Sequence, residues 1–300
     1  MSHFETSKGY QDIILTAATR KLLIAEFNAD LAYRQNLKVH EHGVVHRVGD
    51  CEVTLLPSDH MLGSVQVAVS LPDGMRVGYS GDFHWPLDEA IKVDALVLDS
   101  TYGSPEKKRQ YSQGDAEAAL MALVHSKLAT GPIQIKAFRG TLQRALQVLT
   151  GLVDCPLIGS PHLCAEVDVY RQFGYGIAPL IPADSPDSRR AIKEGRFIQF
   201  YGKGDRLPVQ PKGITVTLSA YMSRPDDPLM TFSERAYAIA MSNHADFDGT
   251  LAYVDATGAE FVLTDSTRGA SALQLAVEIR NRLGKKALPS SQAASHEWGV

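Results

Sequence analysis

Cysteine is scarce. Cys51, Cys155 and Cys164 are the three in 300 residues, an odd number with no C-x-x-C spacing. That argues against a disulfide framework and a thiolate zinc site, and suits spare or buried thiols in a reducing compartment. No apolar run approaches the roughly 20 residues a membrane-spanning helix needs, so integral membrane classes drop out. An excess of positive charge is missing too: 30 Lys and Arg stand against 34 Asp and Glu, for a net charge of −4. A strongly basic, non-specific nucleic-acid binder is therefore not expected, although a local basic groove is compatible with this balance. The opening MSHFETSKGY lacks the apolar stretch of a signal peptide, and a cytoplasmic location is expected. What is present is an ordinary globular mixture, 44% hydrophobic and 21% charged, enough to bury a core over one large or two smaller domains.

No repeat or low-complexity tract interrupts the chain. The first hundred residues read as strands and turns after a short helix over Thr16 to Leu23. Val44 to Leu56 alternates around Gly49-Asp50, and Pro72-Asp73-Gly74 separates two strand-like runs, Val65 to Leu71 and Met75 to Tyr79. Ala95 to Leu98 is a short apolar run that delivers Asp99 at its carboxyl end. A helix opens at Asp115. Strand and helix then alternate (Ile133 to Ala137, Thr141 to Val153, Pro156 to Ile158, His162 to Phe173), which predicts a small parallel sheet with helices on its faces. Ile214 to Leu218 and Phe261 to Thr264 are further strands, Thr267 to Leu283 is a helix, and the end reads as a loose tail. The expected class is α/β, with one domain inserted into another.

Three short motifs place a metal ligand or proton carrier at a strand end: Ser58-Asp59-His60-Met61-Leu62-Gly63-Ser64, Ser80-Gly81-Asp82-Phe83 and Ser242-Asn243-His244-Ala245-Asp246. His and Asp side chains presented together suit zinc or manganese. Each motif alone has a plain reading as well, since Gly-Asp is ordinarily a turn and a loop histidine ordinarily no ligand. His40, His42 and His46 (HEHGVVH) fall on one face if that segment is a strand, where a solvated face is the simpler reading.

The order of these motifs is more informative than any one of them. DHMLGS, SGDF, LDSTYG, a β/α segment and SNHAD follow one another in a pattern that resembles the β-CASP branch of the metallo-β-lactamase superfamily, from about Ile14 to Ala287. The resemblance implies an αββα metallo-β-lactamase sandwich, here lacking its first strands, over residues 1–104 and 210–288. An inserted α/β β-CASP cap would span 105–209, with a tail at 289–300. By matching position it implies His60 and Asp82 as metal ligands, Asp99 as the acid that orients a metal-binding histidine, and His244 as the group that protonates the leaving oxygen or holds the scissile phosphate. Asp265, in VLTDS, stands where some members carry a ligand histidine; it can reach a metal or cap the following helix. Arg139, in a Gly-Arg-like turn, with Lys108 and Arg109 at the start of the cap, would grip phosphates.

The family's H-x-H-x-D-H string does not occur. The nearest match is His3-Phe4-Glu5-Thr6-Ser7-Lys8, which keeps His3 and Glu5 as ligands beside His60 and Asp82. Lys8 would bring a positive charge to the second metal position, a repulsion of roughly 4 kcal/mol at about 4 Å. One zinc or manganese ion at most is therefore expected. The implied activity is metal-dependent hydrolysis of nucleic-acid phosphodiesters, exonuclease-like or like the factors that process mRNA 3′ ends, on single-stranded DNA or RNA. The alternative is an inactive pseudo-nuclease that binds nucleic acid or scaffolds a complex, with an open sheet edge inviting a partner subunit or a homo-oligomer.

Overall fold

The structure, a computed structural model, describes residues 12–27, 34–202, 204–205, 213–220, 224–268 and 271–295. His3 and Glu5 lie outside the described residues. The chain begins with β1 (Ile13–Leu15), α1 (Ala17–Phe27), β2 (Leu37–Val39), β3 (Val45–Val48), β4 (Cys51–Pro57), β5 (Val65–Ser70), β6 (Arg76–Tyr79) and β7 (Ala95–Leu98). There follow α2 (Gln113–Lys127), β8 (Ile133–Ala137), α3 (Thr141–Leu149), β9 (Leu157–Gly159), α4 (Pro161–Gln172), β10 (Ile181–Pro182), α5 (Pro186–Glu194), β11 (Ile198–Tyr201), β12 (Ile214–Leu218), β13 (Leu229–Ser233) and β14 (Ala236–Ile239). The chain returns through α6 (Phe247–Thr257), β15 (Phe261–Thr264), α7 (Ser271–Leu283) and β16 (Lys286–Pro289). The class is mixed α/β, as the pattern predicts.

Two compact units emerge. The first holds described residues 12–19, 36–108 and 243–295, and the second holds 20–27, 34–35 and 109–242. The return to the first unit therefore comes at Asn243, not at residue 210. β12 pairs with β8, and β14 with β12, so these strands complete the second unit's sheet. A stretch of α1 belongs to that unit as well. Apolar periodicity gives a strand's existence but not its pairing partner, which is why the sequence misplaces this boundary. The tail is not loose throughout: Ser290–Ser295 form a 3₁₀ turn, and Ser290 Oγ accepts from Ser266 N at 3.0 Å.

The first unit is built on a seven-stranded sheet ordered β16-β15-β7-β6-β5-β4-β3. β16, β15, β7 and β6 run parallel, while β5, β4 and β3 alternate in direction through two hairpins. Gly49 and Gly74 take left-handed φ values of 61° and 89° at those two turns. One face carries Leu96, Leu98 and Val262 into a core with Phe247, Tyr253 and Val254 of α6 and Leu275 and Ile279 of α7. By the alternation of the pleat, the other face presents Val77, Val97 and Leu263, which help line an apolar concavity of about 560 Å³. β1 and β2 form a separate parallel pair.

The second unit's sheet is ordered β10-β9-β11-β8-β12-β14-β13, parallel except for the last pair. β8, β9, β11 and β14 are buried at nearly every residue, Gln134 and Gln199 included, as expected where helices cover both faces of a parallel sheet. The helix starts follow local chemistry. Ser112 and Asp115 form a capping box on α2, so Asp115 is the third helical residue rather than the opener. Ser160 and Ser185 cap α4 and α5, each with Pro at the first position. α5 has no counterpart among the elements the sequence predicts, and α3 stops at Leu149, four residues short of expectation, before Gly151 at φ 77°. No helix among the described residues is long and apolar enough to cross a membrane.

Candidate metal centre

The carboxyl ends of β4, β6, β7 and β15 lie at one end of the first sheet, since β4 runs parallel to β6 across β5. The chain segments that follow them carry His60, Asp82, Asp99 and Asp265. His244 arrives on the segment before α6. His60, Asp82 and His244 each offer one ligand atom, and these atoms lie within 4.8 Å of one another. Of the sequence-predicted metal ligands, His60 and Asp82 are thus brought together, Asp265 is not, and His3 and Glu5 lie outside the described residues.

Local hydrogen bonds shape each loop. In the His60 loop, Ser64 Oγ accepts from the His60 and Met61 amides, both at 3.1 Å, and Asp59 takes a left-handed φ of 53°. Gly63, at φ 80°, lets its carbonyl accept from Thr16 and Thr19 at the start of α1; a Cβ there would sit 2.8 Å or less from both hydroxyls. Gly81, at φ 58°, passes so close to Val65 that a Cβ would lie 2.7 Å from its carbonyl oxygen. Ser80 Oγ accepts from the Asp99 amide at 2.9 Å, and Ser58 Oγ donates to the Asp82 carbonyl at 2.8 Å, so neighbouring loops are tied together. Asp246 caps α6 by accepting from Gly249 N at 2.9 Å, and Ala245 N donates to Phe83 O at 2.7 Å, which fixes where His244 emerges.

Asp99 is buried, at 9% exposure. Its Oδ1 accepts from Thr101 N at 3.0 Å and Thr101 Oγ1 at 2.7 Å, and its Oδ2 faces His244 Nδ1 at 2.8 Å. Burial pushes the carboxyl up, but the bonds from His244 and Thr101 outweigh it and hold Asp99 below the usual carboxylate range. It is an anion, so His244 carries its proton on Nδ1. His60 Nδ1 faces the Asn243 carbonyl at 3.4 Å, and its Nε2 lies 3.7 Å from Asp82 Oδ2. Burial, then the neighbouring His244, lowers the His60 pKa to about 4 against the pull of Asp82. At neutral pH the His60 Nε2 lone pair therefore faces a carboxylate oxygen with no proton of its own to share. One cation about 2.0–2.2 Å from each atom relieves that opposition, and the donor set suits zinc or manganese.

This lowered pKa carries a stability consequence for the metal-free protein. The unfolded chain takes up the His60 proton near pH 6.5, and the folded protein only near 4. Stability is full above pH 6.5 and falls as pH drops from 6.5 to 4, by about 3 kcal/mol at 1.36 kcal/mol per pH unit. Urea unfolding of EDTA-treated protein at pH 7, 5.5 and 4 checks this. His60→Asn should flatten the profile, and a midpoint constant over that range would contradict the burial of a neutral ring.

The sequence Asp-Ser-Thr occurs at the ends of two adjacent parallel strands, β7 and β15. Asp99 uses one oxygen for Thr101 and the other for His244. Asp265 spends both on Thr267, accepting from its amide and its hydroxyl at 2.9 Å each. Asp265 therefore closes the 3₁₀ turn Ser266–Arg268 and does not join the cluster. Arg139 is the larger correction. Its guanidinium donates to Glu26 at 2.9 Å and to the buried Glu166 at 2.6 Å, so it is a structural cation and not a phosphate grip. Burial opposes its charge, yet the two carboxylates raise its pKa. Lys108 pairs with Asp248, and both side chains are about half exposed. Such a pair is worth about 0–1 kcal/mol, so Lys108 is readily released to another anion. Arg109 begins the second unit's share of the chain and is half-buried. His40, His42 and His46 do not share a strand face: His42 bridges to Leu55, while the His40 and His46 rings stack 3.7 Å apart. Sequence reasoning passed over Asn243, Ser80 and Thr101. Thr101, two residues after an Asp, is a legible turn signal; the cross-chain roles of Asn243 and Ser80 are not.

No protein-family model matches the chain. An "Uncharacterized protein in lig 3′region" of Acidianus ambivalens is 29% identical over 136 residues, 44% of this chain and 96% of that protein. A "Probable DNA ligase" of Opitutus terrae is 21% identical over 279 residues, 88% of this chain. The chain spans only 26% of that relative's length. A crystal structure of a protein of unknown function from Enterococcus faecalis V583 shares the fold, with a TM-score of 0.63 at 14% identity, over 94% of this chain and 75% of that one.

Proposed function

We propose that the protein is a metal-dependent hydrolase of nucleic-acid phosphodiesters, with a metallo-β-lactamase-like first unit and a β-CASP-like second unit. The observation that carries this reading is the approach of His60 Nε2 to Asp82 Oδ2 at 3.7 Å, with ligand atoms of His60, Asp82 and His244 all within 4.8 Å of one another. Among the described residues, His60, Asp82 and His244 are the ones that would hold one zinc or manganese ion. Asp99 keeps the His244 proton on Nδ1 and so leaves Nε2 as the donor. This favours a ligand role for His244 over the proton-donor role that the motif alone suggests. Bound there, the ion supplies Lewis acidity at the phosphate and a hydroxide nucleophile at neutral pH. Lys108, held only by an exposed pair, is the cation this chain offers to a phosphate. The name of one relative, "Probable DNA ligase", favours DNA over RNA.

The test is metal analysis of the purified protein together with cleavage of end-labelled single-stranded DNA in zinc or manganese. On the order of one equivalent of ion and divalent-dependent cleavage are expected, and both should vanish in the His60→Ala, Asp82→Ala double variant. An empty protein that cleaves nothing would leave the non-catalytic binding subunit as the better reading. Cleavage surviving in the double variant would mark a contaminant.

A further inference from the structure

Building on that reading of the site, we infer that Asn243 is a positioning residue that decides which nitrogen of His60 faces the metal position. The two residues, 183 apart in sequence, are joined by two hydrogen bonds of opposite direction. Asn243 Nδ2 donates to the His60 carbonyl at 2.7 Å, while His60 Nδ1 faces the Asn243 carbonyl at 3.4 Å. A backbone carbonyl only accepts, so the short bond fixes the carboxamide's orientation and the 3.4 Å contact favours the tautomer that can donate to it. The carboxamide turns its nitrogen to His60, and His60 carries its proton on Nδ1. Nε2 is then the lone-pair nitrogen, the one 3.7 Å from Asp82.

The 3.4 Å contact is at the weak end of hydrogen-bond geometry and would not hold two loops in register by itself. The short carboxamide bond does that, and the ring's tautomer follows from it. A second observation separates this role from packing. Asn243 is 6% exposed, and its Oδ1 is buried with no hydrogen-bond partner among the described residues. A leucine of similar volume would remove that unsatisfied oxygen but would also take the 2.7 Å donor from the His60 carbonyl, so the ring's tautomer, and not stability, is the readout that distinguishes this role.

The experiment compares wild type with Asn243→Leu, and with Asn243→Ala should the leucine variant fail to fold. In ¹⁵N-histidine-labelled, metal-free protein at pH 8, two-bond ¹H–¹⁵N correlations should show His60 as the Nδ1–H form alone in wild type. The variant should show a mixture with the Nε2–H form. Titration with cobalt(II), read by visible absorption, should give a dissociation constant about 10- to 100-fold higher in the variant. A variant that keeps the pure Nδ1–H form and binds cobalt as wild type does would overturn the inference. If wild type binds no cobalt, the hydrolase reading falls, and the tautomer comparison still decides the role of Asn243.

Discussion

Asp99→Asn is expected to cost about 10- to 100-fold in metal affinity, and at least as much in cleavage rate, with little change in fold. The two side chains have the same shape, so the effect comes from hydrogen-bond polarity. Thr101 presents two donors, an amide and a hydroxyl, to Oδ1. In the variant they demand the carboxamide oxygen. The carboxamide nitrogen is then left facing His244 Nδ1, which must become an acceptor. The imidazole proton moves to Nε2, where the metal needs a lone pair. Rotating the amide the other way would oppose donors at Thr101, inside a pocket where an unpaired group costs about 1–3 kcal/mol. Cobalt titration and single-turnover cleavage measure the loss, and the circular dichroism melt shows that the fold persists. Wild-type affinity in Asp99→Asn would mean that His244 neither holds the ion nor depends on its tautomer.

Arg139→Met should act on stability and not on substrate. Glu166 has a side chain only 5% exposed and takes Arg139 at 2.6 Å, His162 at 3.1 Å and Gln143 at 2.9 Å. Glu26 depends on the same guanidinium. Removing the cation leaves a buried carboxylate without its main counter-charge, a loss of about 3–5 kcal/mol. Methionine keeps the aliphatic packing, so the lost charge is what is measured. Adding Glu166→Gln should return part of the stability, because a neutral amide needs no counter-ion. Affinity for single-stranded DNA should stay within about twofold, since a residue saturated by two carboxylates has little charge to give a phosphate. The opposite pattern, intact stability with weakened DNA binding, would restore Arg139 to the substrate surface.

These two residues mark where sequence reasoning succeeds and where it stops. Asp99 is legible: a four-residue apolar run ends in an acid, and a strand end is a rigid place from which to present one. Arg139 is equally conspicuous in a Gly-Arg turn, but its partners come from 113 residues before it and 27 after it, at Glu26 and Glu166. The Asp-Ser-Thr pair makes the same point at shorter range. Asp99 and Asp265 have the same following residues and the same kind of strand before them. Only one lies within reach of His244, so only one becomes part of the cluster.

By itself the sequence determined the elements that local chemistry dictates: the hairpins at Gly49 and Gly74, the capped helices, the alternation of strand and helix in the middle of the chain, and the residue types fit to hold a cation. Alternation, turn preference and capping act over a few residues, and a few residues suffice to read them. Tertiary structure alone decided that β12 and β14 complete the second sheet, that Arg139 is spent on two glutamates, and that Asn243 and Asp99 each set a histidine's proton. Strand pairing, charge neutralisation and tautomer choice depend on which groups meet across separations from some twenty to nearly two hundred residues of chain.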